Sequence, residues 1–206
     1  MQYWLLKSEP DEFSIDLLKT RETEEWTGVR NYQARNFMRE MKLGDQFFFY
    51  HSSCAEPGIV GVGKIARVAA PDPTQFDPES DYFDAKSAIA APRWSSVLVS
   101  YVRHTARPIG LDRLRAAASS LVDTSSVSPD RRDLSGVSPD RRDLSGVSPD
   151  RRDLSGVSPD RRDLSGVSPD LQDFVLLNRG NRLSILPVTP TQWRAILKLE
   201  KPNRTI

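Results

Sequence analysis

Apolar residues in this chain come in short runs separated by polar stretches rich in Pro, Gly and charge, and the spacing within the runs changes along the sequence. Tyr3-Trp-Leu-Leu6 is a compact apolar run closed by Lys7-Ser-Glu-Pro10, which predicts a buried first strand leaving its sheet at the proline. Phe13 to Lys19 offers Ser14 as N-cap and Ile15, Leu17 and Leu18 as the apolar side of a short helix. Thr20 to Glu25 is charged and reads as a loop that delivers Trp26. From Tyr32 to Met41 the apolar positions Ala34, Phe37, Met38 and Met41 are three or four apart, the period of an amphipathic helix. Asn31 is its N-cap candidate, and Gly44 closes it.

Gln46-Phe-Phe-Phe-Tyr50 predicts a strongly apolar strand that ends in His51-Ser-Ser53. Gly58 to Val68 predicts a second, with glycines that mark a bulge or a close backbone approach, and Cys54 to Pro57 turns between them. Pro71 to Pro92 combines Pro, Asp and aromatics and reads as an ordered excursion. Trp94 to Val102 and Asn181 to Val188 predict further strands; Leu111 to Ala118 and Thr191 to Leu199 predict short helices. With no strand-helix-strand rhythm and no Gly-rich phosphate loop, the pattern predicts an α+β domain. Its core would be a small mixed β-barrel of five to six strands flanked by short helices, not a doubly wound sheet.

One stretch breaks the pattern. Arg131 to Asp170 is the decapeptide Arg-Arg-Asp-Leu-Ser-Gly-Val-Ser-Pro-Asp four times over, unchanged. Leu and Val alone give each copy too little apolar surface for a solenoid. Ser-Pro-Asp starts a helical turn and Ser-Gly stops it, so loosely ordered single turns are expected. Partial copies flank the array, which reads as tandem expansion of a surface loop. The domain is therefore expected over 1–199, interrupted by a low-complexity insertion over 127–170 and followed by a C-terminal tail over 200–206. A tether for an unknown partner is the other reading of the insertion.

Composition narrows the chemistry. The 206 residues carry 29 basic and 28 acidic side chains, for a net charge of +1, so any nucleic-acid contact is expected to be short and specific. One cysteine and two histidines leave no basis for a disulfide framework or a zinc site, and neither metal nor cofactor is expected. The amino terminus turns polar too soon for a signal peptide, and no run approaches a membrane span of about 20 residues. The expectation is a soluble, monomeric, membrane-free protein of the cytoplasm, or of the nucleus in a eukaryote.

Catalysis finds no support. There is no nucleophile elbow, paired-carboxylate pattern or His-x-x-x-His, and His51 and Ser52 would point to opposite faces of a strand, so no enzyme is expected. Recognition is the better fit. Trp26 to Asn36 places an indole, a phenol, two guanidiniums and three carboxamides next to strand ends. Lys7 and Ser8, Trp26, Asn31, and His51 with Ser52 would meet at one rim of the barrel, an indole wall with polar groups around it that suits a nucleobase. The plainer alternative makes Trp26 and Tyr32 peripheral core, leaves the arginines solvated and pairs Lys7 with Glu9.

Six motifs carry a family resemblance: Trp4 to Pro10, Trp26 to Asn36, Phe48 to Ser52, Pro57 to Gly61, Asp72 to Phe76 and Asn181 to Ser184. In this order they resemble the EVE domain family, from the first residues to about Leu199, with the repeat as the one interruption. The resemblance implies a PUA-like fold, similar in plan to YTH readers of methylated RNA. It implies a non-enzymatic reader of modified bases, with modified cytosine such as 5-methylcytosine in DNA first and an RNA-binding module for tRNA or mRNA as the alternative. By position, Trp26 would be the aromatic wall and Lys7, Ser8, Asn31, His51 and Ser52 the polar surround. Arg182 and Ser184 would approach from the last strand, and Arg30 and Arg35 would contact phosphate. Thr27 and the decapeptide array depart from the family pattern.

Overall fold

The computed structural model describes residues 1–119 and 171–200, so the decapeptide array and the tail from 201 lie outside the described residues. Six strands form one mixed sheet: β1 (Tyr3–Ser8), β2 (Thr23–Trp26), β3 (Gln46–His51), β4 (Gly58–Pro71), β5 (Ser95–Gly110) and β6 (Ile185–Val188). Among the described residues four α-helices accompany them: α1 (Ile15–Arg21), α2 (Tyr32–Glu40), α3 (Leu111–Ser119) and α4 (Pro190–Leu199). The strand order is β2-β5-β4-β3-β1-β6, with β1 and β3 parallel and the other pairs antiparallel. The expected α+β class is what the chain adopts.

Why β1 and β3 read as unbroken apolar runs follows from their place at the centre of the sheet. A strand covered on both faces has no polar side to alternate with. In β1, Leu5 joins one buried cluster and Trp4 and Leu6 join the other; in β3, Phe48 and Tyr50 oppose Phe47 and Phe49 in the same way. Leu114 and Ala117 of α3, Leu171 and Phe174, and Trp193 and Ile196 of α4 fill the first cluster. Ile15 and Leu18 of α1 and Ala34 and Met38 of α2 fill the second. Residues from before and after the undescribed stretch thus share one core. Gly63 marks the tightest point, since a Cβ there would lie 2.3 Å from the Phe47 ring.

Four elements differ from the sequence reading, the first being β6, which begins at Ile185 and not at the expected Asn181, so that Arg182 and Ser184 stand before the strand. Thr23 to Trp26 is an edge strand paired with Val97 to Ser100, not a loop. Its charges are those of a sheet edge that must not pair further, which is why no hydrophobic alternation announces it. The other two are β4 and β5, which run on to Pro71 and Gly110, well past the expected Val68 and Val102. Their pairing continues through four register shifts, and each shift breaks the two-residue period on which the sequence reading relied.

Candidate functional site

Pairing of β1 with β3 and β6 brings three strand ends together. Lys7 and Ser8 stand beside Tyr50 and His51, the Ser52 amide donates to the Ser8 carbonyl at 2.9 Å, and the Lys7 amide donates to the Ser184 carbonyl at 2.8 Å. Beside these ends opens a cavity of about 730 Å³. Lys7, Ser8, Ser52, Arg182, Ser184 and Trp26 all line it.

Lys7 is the unusual member. It is half-buried, and burial pushes its ammonium below the ordinary 10.5. No carboxylate among the described residues forms an ion pair with it, Glu9 included. A charge taken partly out of water without a partner costs free energy. An electron-rich oxygen or nitrogen of a ligand would offset that cost.

Trp26, at the end of β2, is 6% exposed. Phe13, Phe47 and Phe49 surround its indole at 5.5, 6.0 and 5.3 Å, each edge-on. The indole is accordingly packed on by three rings and shows the cavity only a narrow margin. Gly28 continues the lining with φ +77°, which favours glycine, and the Tyr82 ring lies where its Cβ would be.

Two expected members of the surround stand elsewhere. Asn31 accepts hydrogen bonds from the amides of Gln33 and Ala34 at 2.9 and 3.0 Å and so caps α2; it does not line the cavity. His51 turns its Nε2 to the Ile15 amide at 3.2 Å, on the first turn of α1. That nitrogen accepts, so it carries no proton. Burial lowers the His51 pKa below 6.5; Asp16 opposes this and His104 adds to it.

Arg30 and Arg35 are both engaged within the fold. Arg30 borders the cavity, but its guanidinium pairs with fully buried Asp72 at 2.8 Å and also donates to Thr74 and to the Tyr82 carbonyl. Asp72 in turn accepts from the Gly28 amide at 3.0 Å, so it ties the Trp26–Arg30 stretch to the Pro73–Phe76 turn. Arg35 donates to the Arg93 carbonyl at 2.9 Å. The sequence reading missed most of the acidic part of the lining: Glu12, Glu24, Glu25 and Asp81 join Glu9 there. Glu24 pairs with Arg21 and Glu25 with Arg67, each at 2.5 Å. Reading β2 as a loop hid this, because only the strand carries Glu24 and Glu25 to the rim.

No group of three potential metal ligands occurs among the described residues, and no helix there is long and apolar enough to cross a membrane.

Comparison with known proteins places this geometry in a context. The family model for the EVE domain matches residues 2–144. Thymocyte nuclear protein 1 of Gallus gallus is 52% identical over 124 residues, covering 55% of this chain and 51% of that protein. The chain spans about half the length of such relatives. The crystal structure of human THYN1 protein in complex with 5-methylcytosine containing DNA has a TM-score of 0.73 and 34% identity, covering 98% of this chain and 99% of that one. A Pseudomonas syringae crystal structure has a TM-score of 0.70 and 39% identity, covering 97% and 99%. The α+β architecture is the PUA-like one of these THYN1 structures.

Proposed function

The chain belongs to the EVE domain family, and from that premise we propose that it is a non-enzymatic reader of a modified base, a modified cytosine in DNA, held in the cavity beside Trp26. The observation that carries this reading is Lys7. Its half-buried ammonium lacks a carboxylate and lies among the lining side chains Ser8, Ser52, Ser184 and Arg182. Lys7, Arg182 and Ser184 offer donors to the carbonyl and ring nitrogen of a pyrimidine edge, while the hydroxyls of Ser8 and Ser52 already donate to the Glu9 and Ser8 carbonyls and offer lone pairs. Glu24 and Glu25 offer acceptors to an exocyclic amine, the group by which carboxylates read cytosine. The DNA complex of human THYN1 supports the ligand class.

A base reaches such a cavity only when flipped from the duplex or presented on a single strand. The reading needs no covalent step: His51 is occupied by the Ile15 amide and Ser52 by the Ser8 carbonyl. The domain would comprise residues 1–199 with the decapeptide array as an insertion, a division supported by the shared core of Leu114, Ala117, Leu171 and Phe174.

Fluorescence anisotropy with matched oligonucleotides carrying cytosine or 5-methylcytosine tests the reading. Tighter binding of the modified strand is expected, and equal affinity for the two would sink it. Ribose and deoxyribose versions of the same strand decide between RNA and DNA, since a protein that reads the 2′-hydroxyl favours the former.

A further inference from the structure

Outside the cavity, α2 and the segment entering β5 carry a second concentration of recognition chemistry. Tyr32 and Trp94 stack at 4.9 Å with their planes 24° apart. The Arg35 guanidinium lies 4.8 Å from the Tyr32 ring and that of Arg93 5.7 Å from it, while Arg30 is 5.5 Å from Trp94. Tyr32 remains 48% exposed although it is part of this stack.

The charge balance of the face is uneven. Arg30 is neutralised by Asp72 at 2.8 Å and Arg93 by Asp84 at 3.2 Å. Arg35 and Arg39 form no ion pair with a carboxylate among the described residues. Neutral oxygens hold them instead: Arg35 donates to the Arg93 carbonyl and Asn36 Oδ1 at 2.9 and 2.8 Å, and Arg39 to Ser95 Oγ at 2.9 Å. Like charges four residues apart on a helix destabilise it. Burial, then the charge of Arg39, lower the pKa of Arg35, against an opposing contribution from Tyr32. In addition, α2 has no acidic residue in its first turn, where a negative charge would be favourable. Arg35 in the middle of α2 and Arg39 in its last turn thus present two oriented guanidiniums without a carboxylate, complementary to a bound anion.

We propose that Arg35 and Arg39, with Tyr32 as a stacking surface, bind the phosphodiester backbone of the nucleic-acid strand whose modified base enters the cavity. The proposal rests on the base-reading function above and names the second half of the same interface. Continuity comes from Arg30, which borders the cavity and also packs on Trp94. Ring contacts of 4.8, 4.9 and 5.5 Å lead from Arg35 to Arg30, a span of a few nucleotides at roughly 3.4 Å of rise each. The half-exposed tyrosine favours a nucleic acid over a phosphorylated peptide, because bases and sugars present flat faces to an aromatic ring. A net charge of only +1 makes a compact cluster the means by which this chain would attract a strand.

The test is the salt dependence of binding for the parent, the R35Q/R39Q variant and the R35K/R39K variant, on cytosine and 5-methylcytosine oligonucleotides. For the glutamine variant the slope of log K against log salt should become shallower by about 0.7–0.9 per lost phosphate contact. Affinity for both oligonucleotides should fall by the same factor, and the lysine variant should recover most of the slope. An unchanged slope in a folded glutamine variant overturns the proposal, as does loss of the modified-to-unmodified ratio at constant slope. If a phosphoserine peptide competes as well as the oligonucleotide, the face is not a strand-binding one. A parent that binds both oligonucleotides equally overturns the base reading, while its slope still reports on the arginines.

Discussion

The backbone amide of Lys7 donates to the Ser184 carbonyl at 2.8 Å, so the end of β1 is pinned to the residue that precedes β6 while the Lys7 ammonium is left without a carboxylate. The contact sets the last described strand beside the first and gives the cavity two of its walls. The half-buried ammonium itself costs free energy in the folded state.

Lys7→Met is therefore expected to act in opposite directions on stability and binding. Removing a half-buried charge relieves its desolvation, so thermal unfolding should move up by a few degrees, while preference for the modified oligonucleotide is lost. A melting curve and an anisotropy titration on the same sample check this. A lowered Tm with unchanged binding would make Lys7 a structural residue.

Trp26 needs two substitutions to be read. Trp26→Ala should cost about 3–5 kcal/mol of stability, because three aromatic rings pack on the indole. Lost binding in that variant would say nothing about stacking. Trp26→Phe keeps a ring in the cluster, and it should unfold cooperatively and bind the modified strand more weakly by up to about 1–3 kcal/mol, the worth of a base-aromatic stack. Parent-like binding by folded Trp26→Phe removes the indole from the site.

Asp72 is fully buried, and it joins Arg30, the Gly28 amide and Thr74. Asp72→Ala leaves the Arg30 guanidinium, itself only one-fifth exposed, without its counter-charge. A loss of about 3–5 kcal/mol is expected from breaking such a pair. Urea unfolding measures it, and a loss under 1 kcal/mol would show that the pair is of the weakly contributing surface kind.

His51 accepts from Ile15 only in its neutral form. Its folded pKa lies below the ordinary 6.5, so in the window between them the unfolded chain binds more protons. The contribution of His51 is complete above about pH 6.5 and is lost as pH falls from there through the folded value. Tm should decline on acidification across that window, and His51→Gln, which keeps an acceptor but does not titrate, should decline less. Parallel curves would place the acid sensitivity elsewhere.

Deleting Arg131 to Asp170 should leave unfolding cooperative and oligonucleotide binding intact. Leu114 and Ala117 before the array share their cluster with Leu171 and Phe174 after it, and loop length adds only slowly to the cost of closure. Circular dichroism with the anisotropy assay decides. Loss of either would assign the array a part in the fold or the site.

Much of the fold was legible because local physics sets it. The apolar runs at Tyr3–Leu6 and Phe47–Tyr50 have a single explanation, burial on both faces, and the N-caps Ser14 and Asn31 are where hydroxyl and carboxamide chemistry puts them. What escaped was non-local. The edge strand Thr23–Trp26 exists because β5 offers it hydrogen bonds, and the bulged lengths of β4 and β5 depend on each other.

Among the candidate site residues the division is the same. Sequence alone could name the side chains with recognition chemistry, since residue type carries donors, charge and aromatic faces. Which of them share a space was decided by strand register and helix packing: Lys7, Ser8, Trp26, Ser52, Arg182 and Ser184 line one cavity, whereas Asn31 and His51 turn to helix amides. A polar side chain near a helix start has a backbone partner within reach before any ligand arrives, and only the folded chain shows whether that partner has claimed it.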